Sequence, residues 1–221
     1  MAAESSSGSS GGGFWGVISS IVTETATNTL QYVRNPAAAK LAALKRDAEG
    51  GHRRAQFHLG TCFLRGDLGA PVDPPQALVW LLRAAEQGHP HAQNDVGALY
   101  YSGNGLPTRD IDAALYWFSR AAEQDHPDAL AALGDMYLLG DGVTIDLERA
   151  RRYLERAAEL DVPLAQIKWV TLLQEHGREG GLFAPISTQE AALARRVLDR
   201  AGSRDDHPEV QLAAALLMRE R

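Results

Sequence analysis

The sequence predicts an all-α solenoid, and three observations predict it. A block recurs at a period of 36 to 37 residues: A-E-Q-G-H-P-H-A at Ala85 to Ala92 and A-E-Q-D-H-P-D-A at Ala122 to Ala129. It is preceded by A-E-G-G-H-R-R-A at Ala48 to Ala55 and followed by A-E-L-D-V-P-L-A at Ala158 to Ala165. Such a period belongs to stacked helix pairs, not to one globular core. Between the blocks, apolar residues fall at helical spacing, three and four apart. Each period also holds one loop that opens on Gly and closes on Asp, the residues that end one helix and cap the next.

Residues 1–13 hold three consecutive glycines and five serines. They are expected to be disordered, since they cannot bury enough surface to repay ordering. Residues 14–35 form an apolar segment. Phe14, Ile18, Ile21, Val22, Thr25 and Thr29 share one helical face, while Thr23, Thr25, Thr27 and Thr29 alternate like a strand. A helix is preferred, because a helical array offers no sheet to join. Phe14 and Trp15 either cap the first repeat or dock a partner or a membrane surface. Lys and Arg are absent before Arg34, which argues against a membrane surface.

From Pro36 the pattern is regular. Pro36 suits a first helical turn, Leu41, Leu44 and Ala48 share a stripe, and Gly50-Gly51 ends the helix. Residues 36–51 read as a half repeat. Three fuller repeats follow at 52–88, 89–125 and 126–161. Their first helices carry Ala55, Leu59, Gly60 and Phe63; Ala92, Val96, Gly97 and Tyr100; Ala129, Leu133, Gly134 and Tyr137. Glycine is costly inside a helix, so a recurring glycine column predicts close helix approach. The second helices carry Ala77, Trp80, Ala84 and Ala85; Ala114, Trp117, Ala121 and Ala122; Ala150, Tyr153, Ala157 and Ala158. The aromatic is expected to fill the gap between the paired helices. Trp117→Ala is then the most damaging single change, at roughly 3–5 kcal/mol. Residues 162–205 form a degenerate fourth unit, with Ala165, Trp169 and Leu173 in its first helix and Val170 in the glycine column. Ser187 and Glu190 predict a capping box for a helix over 188–201. Residues 206–221 predict a C-terminal cap.

The recurring pattern resembles the Sel1-like repeat family. It stands as A-L-G-D-M-Y-L-L-G-D-G-V at Ala132 to Val143 and as A-L-V-W-L-L-R-A-A-E-Q-G at Ala77 to Gly88. Residues 36–165 carry the resemblance strongly, 166–221 weakly, and 1–35 lie outside it. The resemblance implies a right-handed superhelix of helix pairs related to tetratricopeptide arrays, about four repeats with terminal capping helices. It implies an adaptor or scaffold for protein complexes, and its motif carries no catalytic residue. Leu68 departs from it by replacing the second loop glycine of the first full repeat.

Composition narrows the function further. The net charge is -6, while nucleic-acid binding calls for a basic stripe. Arg149, Arg151 and Arg152, and Arg195, Arg196 and Arg200, read as solvated helix faces. Cys62 is the single cysteine, which excludes an intramolecular disulfide and a cysteine zinc site. It reads as a buried structural thiol. Phe14 to Val22 is nine residues with two serines, too short and polar to span a bilayer. No secretory signal is evident, so a cytoplasmic location is expected, with organelle import and envelope association as the alternatives, and no cofactor is implied. His52, His89 and His126 recur at the repeat period and are expected in inter-helix turns, as a ladder and not a metal cluster, with His89 and His91 as the one chance metal pair. Gly103-Asn104-Gly105 and Gly140-Asp141-Gly142 follow helices, not strands, so they are not dinucleotide glycines. Asp125 with Asp128 reads as turn and cap residues. No nucleophile elbow is present.

The expected function is therefore binding of a protein or peptide. Solenoid ligands often lie along the wall made by one helix of each pair. In the first helices, three columns are free of core packing duties: His58, Asp95 and Ala132; Thr61, Ala98 and Asp135; Leu64, Tyr101 and Leu138. His58, Asp95, Tyr101, Asp135 and Leu138, with Phe14 and Trp15, are the candidate contact residues. For the last column, burial against the adjacent repeat is the competing reading. Two other functions fit the same pattern: a dedicated chaperone or immunity protein masking one partner, or a structural subunit anchored by residues 14–34.

Overall fold

The computed structural model describes residues 35–176 and the isolated helical positions Ala192 and Arg196. The expectations for residues 1–34, for the loop at 177–187, and for the helices over 188–201 and beyond Pro208 fall outside the described residues, apart from those two positions. Among the described residues there are eight α-helices and no strand. They are α1 (Pro36–Glu49), α2 (Arg53–Arg65), α3 (Pro74–Glu86), α4 (Pro90–Ser102), α5 (Ile111–Ala122), α6 (Pro127–Leu139), α7 (Leu147–Glu159) and α8 (Pro163–His176). The closest pairs are α2 with α3, α4 with α5 and α6 with α7, and each pair stacks on the next through α3–α4, α5–α6 and α7–α8. That is a solenoid of helix pairs.

Local chemistry sets the helix ends. The second helices are capped as their sequence predicts. Asp73 Oδ1 accepts from the Gln76 N–H at 3.0 Å, Asp110 from Ala113 at 2.9 Å and Asp146 from Arg149 at 2.9 Å. Gly66, Gly103 and Gly140 end the first helices in the left-handed conformation, with φ of 76°, 72° and 73°. The turn after each second helix also needs one left-handed residue. Gly88 supplies it once, and Asp125 and Asp161 supply it next, with φ of 58° and 64°. Aspartate tolerates this region better than most residues.

Close approach at the glycine column is present. A Cβ on Gly60 would lie 2.6 Å from Leu81 Cγ, one on Gly97 2.8 Å from Phe118 Cδ1, and one on Gly134 2.7 Å from Leu154 Cγ. These neighbours correct the expectation about the gap. Leu81, Phe118 and Leu154 fill it and are buried, while Trp80, Trp117 and Tyr153 are only half-buried. One residue is about 100° of helical rotation, so the aromatic column sits off the packing seam. Trp80 and Trp117 lie against the edge of the first core cluster and Tyr153 against the second. Arg83 stacks over Trp80 at 4.5 Å, and Tyr153 stacks on Tyr137 at 5.7 Å. Phe118, not Trp117, therefore fills the gap in this pair.

The core comes in two runs. One extends from Ala48 to Leu99 and the other from Ala114 to Leu172, and Tyr100 packs against both. In α8, Trp169 occupies the column of Leu59, Val96 and Leu133 and is 0% exposed. The departure at Leu68 also has a physical reason. Its equivalents Gly105 and Gly142 face the preceding repeat so closely that a Cβ would meet Pro74 Cβ at 2.5 Å and Ile111 Cγ2 well inside van der Waals contact. Leu68 holds a left-handed φ of 55° yet packs against the first core run, in a short 3-10 turn that touches α1. The half repeat leaves room there that a full repeat does not.

Candidate partner-binding surface

The first helices α2, α4, α6 and α8 meet through side chains at fixed register. Counted from the helix starts, His58, Asp95, Ala132 and Lys168 occupy one column, and Thr61, Ala98, Asp135 and Thr171 the column one turn further on. In α8 a residue of the former column reaches back to the latter column of the preceding first helix. Between α6 and α8 this slot is closed: Lys168 Nζ sits 2.5 Å from Asp135 Oδ1. Between α4 and α6 the same two columns hold only alanines, Ala132 and Ala98. Between α2 and α4 it holds Asp95 and Thr61, and there a groove of about 290 Å³ opens. Thr61, Leu64 and Arg65 line it from α2, and Asp95, Ala98, Leu99 and Ser102 from α4, with Asn104 of the next loop.

Asp95 is half-buried in this groove. Its side-chain hydrogen bond is a long one, 3.5 Å from Asn94 Nδ2 to Oδ1. Burial pushes its carboxyl above the ordinary value, against the opposing pull of Asn94, His91 and Arg65. Thr61 does not serve it, because the Thr61 hydroxyl donates to the His58 carbonyl at 2.8 Å.

The other candidate residues have varied surroundings. His58 is exposed on α2, its ring 5.3 Å from that of Phe57. Asp135 is engaged by Lys168. Leu138 is half-buried and packs on the second core run. Tyr101 is half-buried and donates its hydroxyl to Asp141 Oδ2 at 2.8 Å, with Arg109 stacked on its ring at 5.2 Å. Arg109 Nη2 also reaches both Asp141 oxygens at 2.9 Å. The Tyr101 hydroxyl and Arg109 hold the Asp141 carboxyl below its usual value. This trio clamps the second repeat to the third. Phe14 and Trp15 lie outside the described residues. The arginines of α7 are engaged by carboxylates: Arg149 with Asp146, Arg151 with Glu148 and Glu155, and Arg152 with Glu148. Arg195 and Arg200 lie outside the described residues.

His52, His89 and His126 do stand at the starts of α2, α4 and α6, in the inter-helix turns. Off-period His91 nevertheless joins two of them. His126 Nε2 and His91 Nδ1 are 2.8 Å apart, His89 lies 5.9 Å from His91 ring to ring, and Phe57 stacks on His89 at 4.5 Å. His52 stands apart, its Nδ1 2.9 Å from the Asp47 carbonyl oxygen. Burial, then His91, pushes His89 down to about 4, and the same two causes lower His126. Among the described residues, no group of three or more His, Cys, Asp or Glu is placed to hold a metal. Cys62 is buried, and burial raises its thiol pKa, which leaves it an unreactive core group.

A glutamine ladder was not anticipated. Gln56, Gln93 and Gln166 are buried and donate to the carbonyls of Ala48, Ala85 and Ala158 at 3.1, 3.1 and 3.2 Å. Gln87 and Gln124 donate to Gln56 and Gln93, both at 2.7 Å. The signal was in the sequence. Gln follows the periodic Ala in each of these helices, and where Leu130 replaces it, Leu160 replaces the partner glutamine. Swapping both partners for apolar groups is the inexpensive way to lose such a bond.

Paired helices, capped loops and a glycine seam in register define a helical-repeat protein. The family description "Sel1 repeat" matches residues 53–89, 90–126 and 127–162. Over these residues the chain belongs to the Sel1 repeat family, whose members generally mediate protein–protein contacts. Among solved structures it is similar to a Sel1 repeat protein from Oxalobacter formigenes, at 30% identity and a TM-score of 0.65, over 80% of this chain and 48% of that one. It is also similar to c5321, a protective antigen present in uropathogenic Escherichia coli strains, at 24% identity and a TM-score of 0.50, over 80% and 48% of the two chains. The chain thus spans about half the length of each. No curated protein matches it in sequence. No helix among the described residues is long and apolar enough to cross a membrane.

Proposed function

We propose that this chain is a non-enzymatic adaptor or scaffold that holds a segment of a partner protein along the wall of α2, α4, α6 and α8. The groove between α2 and α4 carries the reading. It combines the apolar Leu64, Ala98 and Leu99 with the charged Arg65 and Asp95, and among the described residues no side chain closes it as Lys168 closes its counterpart. A mixed lining of this kind suits a peptide segment, with apolar contacts for affinity and a few polar groups for orientation. Ala98 is exposed in the groove, so Ala98→Trp fills it without touching the core. Proteins captured by the wild-type chain from its native cell, read by mass spectrometry, are expected to be lost on the Ala98→Trp variant at unchanged helical circular dichroism. An identical captured set on both proteins would refute the assignment of the surface.

A further inference from the structure

We infer, on the footing that a partner binds this wall, that the slot at Asp95 anchors one lysine or arginine side chain of the bound segment. The molecule supplies its own precedent. Asp95 and Lys168 occupy equivalent positions on α4 and α8, each facing the preceding first helix. At α8 the slot is complete, because ammonium and carboxylate meet at 2.5 Å. At α4 the charge is reversed: the carboxylate sits on the reaching side and Thr61 stands opposite, with its hydroxyl turned to His58. Among the described residues no cation pairs with Asp95. Arg65 lines the same groove, yet it is exposed and forms no ion pair with it. A half-buried carboxylate with one long hydrogen bond gains most from an incoming cationic donor, since charge-assisted hydrogen bonds strengthen as water is excluded.

Size agrees. About 290 Å³ falls at the lower edge of small-molecule sites, which run from ~300 to 1,000 Å³. It suits one long side chain whose stem lies along Leu64 and Leu99 while its head reaches Asp95, the usual division between an apolar stem and a charged tip.

The test is selection of a random peptide library displayed on phage against the full chain and against Asp95→Asn, Asp95→Lys and Ala98→Trp, each confirmed folded by circular dichroism. On the wild type, the selected peptides are expected to share a lysine or arginine at one position. A selected peptide should bind Asp95→Asn roughly ten- to a hundredfold more weakly, the range for losing a hydrogen bond to a charged group. Asp95→Lys should select aspartate or glutamate at that position. Replacing the peptide's own lysine by norleucine should weaken binding to the wild type equally, so the outcome does not hang on the folding of any variant. Peptides that are lost on Ala98→Trp but indifferent to Asp95→Asn and to norleucine would overturn the basic anchor and leave the groove standing. Peptides that bind Ala98→Trp undiminished, or no peptide selected on the wild type, would overturn both.

Discussion

Gly97→Ala probes the seam that sets the spacing of the helix pairs. A Cβ at this position would lie 2.8, 2.9 and 3.1 Å from Phe118 Cδ1, Cε1 and Cγ. The obstruction is the face of a rigid ring, and Phe118 is 4% exposed, so it has no solvent to swing into. Two effects compete. Alanine in place of glycine in a helix interior gains ~1 kcal/mol of propensity, and overpacking costs ~1–3 kcal/mol. The net expectation is a loss of ~0–2 kcal/mol. In a Phe118→Ala background the ring is gone, and the same change should stabilise by ~1 kcal/mol. The coupling between the two positions is then ~1–3 kcal/mol, equal to the overpacking term alone. Urea denaturation of the four proteins, followed by far-UV circular dichroism and compared at equal m, gives this quantity. A stabilisation of ~1 kcal/mol in the wild type, or equal effects in both backgrounds, would show that close approach does not explain the glycine column.

Two further outcomes follow from the same packing and from the histidine cluster. Phe118→Ala should cost ~3–5 kcal/mol, and Trp117→Ala less, because Trp117 packs at the edge of the core and is only partly buried, while Phe118 fills the seam; equal losses in denaturant would return the seam to the tryptophan. Stability should fall as pH drops. His89 and His126 are held below their ordinary 6.5, His89 at about 4, so the unfolded chain takes up protons that the folded chain refuses. The stabilisation is complete above 6.5, declines as pH falls through that value, and continues to decline towards 4, where folded His89 itself protonates. Asp95, raised by burial, works in the opposite sense near carboxylate pH, so the comparison belongs between pH 7 and 5. Melting temperatures over that interval should fall for the wild type and fall less for His89→Gln; parallel curves would remove His89 from the account.

How much of this was legible beforehand varies by residue. The helix ends were, since Asp73, Asp110 and Asp146 cap and Gly66, Gly103 and Gly140 terminate through bonds to residues three or four away. The glycine column was legible because it recurs. The residue opposite it was not. Trp117 and Phe118 are adjacent, both large and both apolar, and only the rotation of α5 against α4 decides which one faces Gly97. The glutamine ladder was visible as a pattern but carries no meaning until helix ends 31 residues apart are seen side by side.

Repeat, period and caps could be read from the chain alone, because they rest on contacts within one helical turn or on recurrence. Tertiary structure alone decided what the wall offers. His58, Asp95, Ala132 and Lys168 look like four unrelated residues in one column. Their surroundings differ: Lys168 closes its slot on Asp135, while Asp95 lines an open groove in which no described cation pairs with it.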